Sequence, residues 1–322
     1  MAITKTGIEV DTSSSFTNPS IYEENGQVNQ VTADSLTPST RYYTRAYVIN
    51  DGSTIYSQNM RSFTTATPEY FYFGNPDSQN SITVQLKKVG SPADFEYEYS
   101  ISDGTNWTSG TTRGISSQSF LIPAGKKIIF RGTNSSFSTG ASNYYYFDCS
   151  DYILVGGNIM TLLDPTGMST TIPCTYCFYS AFKGITDLDN GGLELPATEL
   201  KDYCYAHLFD GCAAMTSPPE LPATELATGC YSYMFNACSR IETTPELVAK
   251  SVANYAYLNM FNGARSLNRV ICYAETWNTN NSAAWLQNAG SGSGDFYNLG
   301  RAQIPLDSNS GIPTGWTEYT SL

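Results

Sequence analysis

Apolar and polar residues alternate along the first half of the chain and change rhythm in the second. Tyr42, Thr44, Ala46 and Val48 fall on one face of an extended segment, and Asp51-Gly52 supplies a tight turn before the next. Further on, Ile82, Val84 and Leu86 alternate, as do Phe95, Tyr97, Tyr99 and Ile101, with Asp103-Gly104 as a second hairpin turn. Phe120-Leu-Ile-Pro-Ala-Gly125, Lys127-Ile-Ile-Phe-Arg131 and Asn143-Tyr-Tyr-Tyr-Phe147 read as further strands. Past residue 177 the period lengthens. Leu226, Cys230 and Met234 are spaced i, i+4, i+8, which predicts one helical stripe facing inward.

The second half also repeats itself. Glu194-Leu-Pro-Ala-Thr-Glu-Leu200 recurs as Glu220-Leu-Pro-Ala-Thr-Glu-Leu226, and Cys204-Tyr205 recurs as Cys230-Tyr231. Leu208-Phe209 recurs as Met234-Phe235 and again as Met260-Phe261, and Cys212 recurs as Cys238. Pro245-Glu-Leu247 continues the register, and Cys177-Phe178 with Phe182 forms a divergent copy upstream. A period of about 26 residues lies in the leucine-rich-repeat range. One unit cannot bury its apolar stripe alone, so the units must stack, with atypical ends as caps. Residues 159–190 and 273–322 are the expected caps, the latter through Trp285 and Gly311-Ile-Pro-Thr-Gly-Trp316.

Three blocks follow: a partial β-sandwich over 1–66, a second β-sandwich over 67–158, and a solenoid with caps over 159–322 whose repeats run over 177–273. The expected fold is mainly β with some α, two sandwich modules followed by a short α/β solenoid.

Two resemblances carry this further. The first block, from Leu36-Thr-Pro-Ser-Thr-Arg-Tyr42 through Ser62-Phe-Thr-Thr65, resembles the later part of a fibronectin type III domain, with Tyr42 where such a sandwich places a tyrosine corner. The resemblance starts near the third of seven strands, so an open edge able to accept a strand from elsewhere is expected. The repeat, through Pro-Ala-Thr-Glu-Leu, Cys-Tyr-x-x-x-Phe and the terminal Gly-Ile-Pro-Thr-Gly-Trp-Thr, resembles the BspA-like leucine-rich repeats of Bacteroidales surface proteins and of the crAss-like phages that infect such bacteria. That resemblance implies a binding or structural role.

Composition narrows the function. The 322 residues carry 29 acidic and 17 basic side chains, a formal charge of −12, which disfavours nucleic acid and anionic lipid as partners. No apolar run reaches the roughly 20 residues needed to span a bilayer, so no membrane insertion is expected. The first residues show no secretory leader pattern, which favours a chain assembled into a particle over an exported one.

Candidate chemistry is sparse. His207, the single histidine, aligns with Tyr233 and Asn259 and reads as an exposed helix position. Cys174-Thr-Tyr-Cys177 has the C-x-x-C spacing but no second pair to complete a zinc site. Cys204 with Cys230, and Cys212 with Cys238, read as two buried thiol ladders between stacked units. Asp187-Leu-Asp189-Asn190-Gly191 lacks a full calcium-loop pattern and reads as a turn between strand and helix. Glu194 with Glu220 and Glu199 with Glu225 repeat with the unit and are read as solvated positions rather than a catalytic pair. No catalytic, cofactor or metal residue is therefore assigned. The expected ligand or partner surface is aromatic: Tyr43, Tyr47, Tyr144, Tyr146, His207 and Tyr233, since such rings offer an apolar face and a polar tip.

The reading that joins these is a non-enzymatic phage virion component, a head or tail fibre or capsid-decorating protein. It displays modules to a glycan or protein of the host surface and docks on other virion proteins through its first module. A dimer or trimer is expected. A bacterial surface adhesin, or a carbohydrate-binding protein lacking its export signal, is the alternative.

Overall fold

The computed structural model describes residues 3–13, 15–28, 31, 41–57, 60–64, 69–101, 104–290, 292–307 and 309–322. The chain divides into two compact units, Met1–Pro68 and Glu69–Leu322.

The first unit is one antiparallel sheet of five strands: β1 (Ile3–Asp11), β2 (Ser20–Asn25), β3 (Arg41–Asn50), β4 (Ser53–Tyr56) and β5 (Arg61–Thr64). The order is β2-β1-β3-β4, with β5 also pairing to β3. The β3–β4 hairpin turns at Asp51 and Gly52, both at positive φ (48° and 79°), as a two-residue turn that matches strand twist requires. The alternation expected along β3 is interrupted. Tyr42 and Tyr47, five residues apart, are the buried positions, while Ala46 is exposed. The residues just upstream of Arg41, where the tyrosine-corner partner of Tyr42 is expected, lie outside the described residues.

The second unit begins as two packed sheets. Its strands are β6 (Tyr72–Gly74), β7 (Ile82–Val89), β8 (Glu96–Ile101), β9 (Thr108–Thr111), β10 (Ser117–Ile122), β11 (Lys127–Arg131), β12 (Tyr144–Asp148) and β13 (Ile153–Asn158). The sheet β10-β7-β12 faces a larger one in which β13-β6-β11-β8-β9 run side by side. Between them lie Phe71, Phe73, Phe95, Phe120, Phe130, Phe137 and Phe147, all buried. Their rings meet mostly at steep angles, as in Phe73–Phe147 (4.8 Å, 64°) and Phe120–Phe130 (5.1 Å, 86°). Asp103 of the expected second hairpin turn lies outside the described residues.

This core does not stop at residue 158. Strand β13 pairs in parallel with β14 (Leu188–Glu194), which therefore adds to the larger sheet. The Asp187–Gly191 segment, expected as a turn into a helix, is largely part of this strand. Phe137 stacks on Phe178 and Phe147 on Phe182, so apolar contact is continuous from the sandwich into the repeat. The boundary drawn between residues 158 and 159 falls inside one hydrophobic core.

The repeat itself is not helical, which corrects the expected α component. Among the described residues the only helical element is a short 3-10 turn at Ile159–Leu162. In the second copy, the N–H groups of Tyr203, Tyr205, His207, Phe209 and Gly211 donate to the carbonyls of Thr228, Cys230, Ser232, Met234 and Asn236 in the next copy, at 2.8–3.0 Å. The N–H groups between them, from Cys204 to Cys212, donate three residues back within the same copy, at 3.0–3.3 Å. Local turns and long-range rungs thus alternate residue by residue, and every backbone donor of this stretch is satisfied without an α-helix.

Every fourth residue of this ribbon is left-handed. Tyr203, His207 and Gly211 have φ of 57°, 57° and 86°, and Gly229, Tyr233 and Ala237 repeat this at 60°, 56° and 58°. An α-helix requires consecutive negative φ values, so a left-handed residue at each fourth place excludes one. A four-residue period still carries Cys204, Leu208 and Cys212 inward, with Tyr205 and Phe209 beside them. Because four is close to 3.6, the same apolar spacing predicts a helical stripe from sequence. Leu226, the first member of that expected stripe, is only half-buried.

Equivalent residues of successive copies pack on each other. Phe182, Phe209, Phe235 and Phe261 form one column with centroids 5.4, 5.5 and 5.2 Å apart. Phe178, Tyr205 and Tyr231 form another at 5.8 and 6.2 Å. Leu195 and Ala197, Leu221 and Ala223, and Leu247 and Ala249 point inward with the period of two of extended chain. The end is covered by aromatics: buried Trp285 lies on Tyr257 (6.0 Å, 17°) and donates its indole N–H to the Gly311 carbonyl at 2.8 Å. Strands β15 (Arg269–Cys272), β16 (Asp295–Asn298) and β17 (Thr317–Tyr319) pair in parallel there.

Candidate binding surface

Most left-handed positions, buried Ser180 excepted, carry their side chains outside the buried columns. Equivalent outward positions of adjacent copies then stand about one rung apart, and aromatic residues there pile up. Tyr176 lies on Tyr203 (4.9 Å, 9°), and His207 lies on Tyr233 (4.5 Å, 11°). Tyr179 links the two piles edge-on, 5.6 Å from Tyr176 and 5.4 Å from His207. Across from it, Tyr144 of β12 meets Tyr179 at 5.3 Å and Tyr146 at 6.0 Å. Four of the six residues expected as a ligand surface, Tyr144, Tyr146, His207 and Tyr233, are therefore brought into one row. Each is half-buried.

An ionic cluster holds the middle of this row. Asp210 accepts from His207 Nδ1 (2.8 Å), Lys183 Nζ (2.9 Å) and Asn236 Nδ2 (2.7 Å). Burial pushes the Asp210 carboxyl up, but the bonds from His207, Asn236 and Lys183 outweigh it and hold the acid down at about 2. Its charge fixes the imidazole that stacks on Tyr233. The left-handed backbone of His207, shared with Tyr233 and Asn259, replaces the exposed helix position expected there.

The rings face one another, so what they present outward is mostly their edges and hydroxyls. Tyr255, in register with Tyr176, Tyr203 and Gly229, is the exception: 48% of it is exposed, and Gly229 leaves the position between it and Tyr203 without a side chain. A partner meeting this row finds tyrosine hydroxyls, an imidazole and a lysine ammonium, which suits a hydroxyl- or carbonyl-rich surface.

The two other expected residues lie in the first unit. Tyr43 is half-buried beside the Arg41 guanidinium, 5.5 Å from its ring. Tyr47 is buried, and its hydroxyl donates to Glu23 Oε1 at 2.7 Å. Burial and that bond raise its hydroxyl well above the usual range and withdraw it from any surface role. Tyr176, Tyr179, Tyr203 and Tyr255 were not singled out in the sequence. Register alone points to three of them, since 176, 203, 229 and 255 are equivalent places in successive copies.

The thiol ladders lie inside. Cys204, Cys230, Cys212 and Cys238 are buried and unpaired by disulfides. The sulfurs of Cys212 and Cys238 donate to the Phe182 and Phe209 carbonyls of the preceding copy, at 3.2 and 3.1 Å. Among the described residues no three His, Cys, Asp or Glu side chains are grouped to hold a metal ion, and no helix is long and apolar enough to cross a membrane. No protein-family model, curated protein or solved structure matches the chain.

Proposed function

We propose that this chain is a non-enzymatic recognition protein of a phage virion, a fibre or decorating subunit that contacts the bacterial host through the aromatic row of its repeat. The row of Tyr144, Tyr146, Tyr179, His207 and Tyr233 carries the reading, because a continuous strip of rings, packed edge-on or tilted and stacked where His207 lies on Tyr233, is already ordered before a partner arrives. Ordering such side chains on binding costs about 0.5–1.5 kcal/mol each, and here folding has already met that cost.

The phage and host assignment rests on the BspA-like resemblance of the repeat. In this reading the second half is a short leucine-rich-repeat solenoid in which four-residue turns replace the usual helix. The first unit docks on neighbouring virion proteins through its outer strand β2, which has β1 as its described partner. The recurrence of acids and buried thiols with the repeat supports a scaffold over an active site.

Immunogold labelling of purified particles with antibody to this chain tests the assignment. Label on virions supports it; label confined to the bacterial envelope favours the adhesin reading. The contact face is tested separately by binding of the purified chain to intact host cells, where Tyr179→Ala combined with Tyr233→Ala should lower binding at least about tenfold, as expected for loss of central aromatic anchors.

A further inference from the structure

We propose that Cys174 and Cys177 form a dithiol–disulfide couple, a thiol-exchange site at the head of the repeat that reacts with low-molecular-weight disulfides. The geometry comes from the repeat. In the next two copies the corresponding turn is closed by the Cys204 N–H on the Lys201 carbonyl (3.2 Å) and by the Cys230 N–H on the Ala227 carbonyl (3.3 Å). The ends of such a turn lie within about 7 Å, which overlaps the Cα separation of about 4.4–6.8 Å that a disulfide spans. Cys174 stands where later copies have Lys201 and Ala227, so among these copies the first has a thiol at both ends of the turn.

The two thiols influence each other and differ in access. Cys174 is half-exposed, with its sulfur 3.7 Å from the Ser138 carbonyl, whereas Cys177 is buried. Interaction with Cys177 holds the Cys174 thiol below its usual range despite partial burial. That same interaction, together with burial, pushes the Cys177 thiol up. An accessible attacking sulfur backed by a shielded resolving one is the arrangement that thiol exchange uses. The other six cysteines are all buried. Burial raises the Cys204 thiol to about 12 and the Cys272 thiol to about 11.

The chemistry balances with one external disulfide. The Cys174 thiolate attacks a sulfur of that disulfide and expels one thiolate, leaving a mixed disulfide on Cys174. Cys177 then gives up its proton to the expelled thiolate, attacks the Cys174 sulfur, and releases the second thiol. Two protein thiols are oxidised and one disulfide is reduced to two thiols.

Incubating the full chain in graded mixtures of oxidised and reduced glutathione, then alkylating and mapping peptides by mass spectrometry, tests this. The expected result is loss of two of the eight thiols, an internal link between Cys174 and Cys177, and no retained glutathione. In Cys177→Ala, glutathione should stay on Cys174; in Cys174→Ala, no adduct should form in the same buffer. Labelling of reduced protein at Cys174 should be at least about tenfold faster than at any other cysteine. Wild-type chain that keeps all eight thiols free in fully oxidised glutathione, retains a stable adduct on Cys174, or links Cys174 to Cys204 overturns the proposal. These outcomes are read on wild-type protein and stand even if a variant fails to fold.

Discussion

The two halves of the second unit share one core but fill it by different rules. In the sandwich, Phe73, Phe120, Phe130 and Phe147 meet at angles from 53° to 86°, and each ring has a different set of neighbours. In the repeat, Phe182, Phe209, Phe235 and Phe261 lie nearly parallel, at 24° or less, and each sees a copy of itself. Antiparallel strands bring together residues unrelated in sequence, so their side chains must interlock. A 26-residue rung brings together equivalent residues, so a side chain that stacks on itself solves every layer at once. The outer row follows from the same rule: aromatic residues placed outward on a ladder stack whether or not a ligand asks for them.

Breaking a column is the strongest test of this difference. Phe209→Ala should cost about 3–5 kcal/mol, because a ring with a partner on both sides leaves a cavity that neither layer can fill. Since the core is continuous with the sandwich, chemical denaturation followed by fluorescence of Trp107 in the sandwich and Trp277, Trp285 and Trp316 in the repeat should give one shifted transition. Two separated transitions would show that the repeat unfolds by itself.

The next effect is electrostatic. Asp210 is held near 2 against an ordinary value of 3.8, so its contribution is present above about pH 4 and is lost as pH falls through 2. The shift corresponds to about 2 kcal/mol. Denaturation midpoints measured between pH 5 and 2 should fall less steeply for Asp210→Asn than for wild type by about that amount. An unchanged slope refutes the role given to this cluster.

A smaller effect has a diagnostic sign. Ala237 is exposed and left-handed, φ 58°. Ala237→Gly should therefore stabilise the chain by about 1 kcal/mol, by relief of the left-handed conformation. In a helix the same change costs about that much. A lowered melting temperature for this variant contradicts the turn ribbon directly.

The smallest pair compares the two units. The hydroxyl of Tyr47 donates to Glu23, whereas those of buried Tyr205 and Tyr231 have no hydrogen-bond partner among the described residues. Tyr47→Phe should cost about 1 kcal/mol, and Tyr205→Phe should be neutral or slightly stabilising. Equal losses in both, by urea titration, would mean that the Tyr205 hydroxyl is satisfied after all.

Much of this was legible in the residues. The period, the copies, the inward Leu and Ala of the Leu-Pro-Ala steps and the buried thiols all follow from repetition. The helix did not survive, because apolar spacing reports which residues face inward and not how the backbone between them turns. A better signal was present: Gly184, Gly211 and Gly263 follow their column phenylalanines by two residues in three of four copies, and glycine at a fixed place marks positive φ. The row was half legible. Tyr144, Tyr146, His207 and Tyr233 were named as isolated candidates, and their meeting depends on β12 lying beside the first copy, a contact no local pattern encodes.

Sequence by itself thus determined most strands of the sandwich, the register of the copies, and the inward thiols, Leu and Ala of the repeat. Those follow from nearest-neighbour patterning and from the fact that equivalent residues in a stack must meet. Tertiary structure alone decided that the sandwich and the repeat share a core, that Tyr47 is hidden while Tyr179 is part of a surface, and that the ribbon turns instead of coiling. Each of these depends on where a backbone donor finds its acceptor. Between Tyr203 and Cys212 that acceptor is as often in the next copy, 25 residues away in Tyr205 to Cys230, as in the same turn.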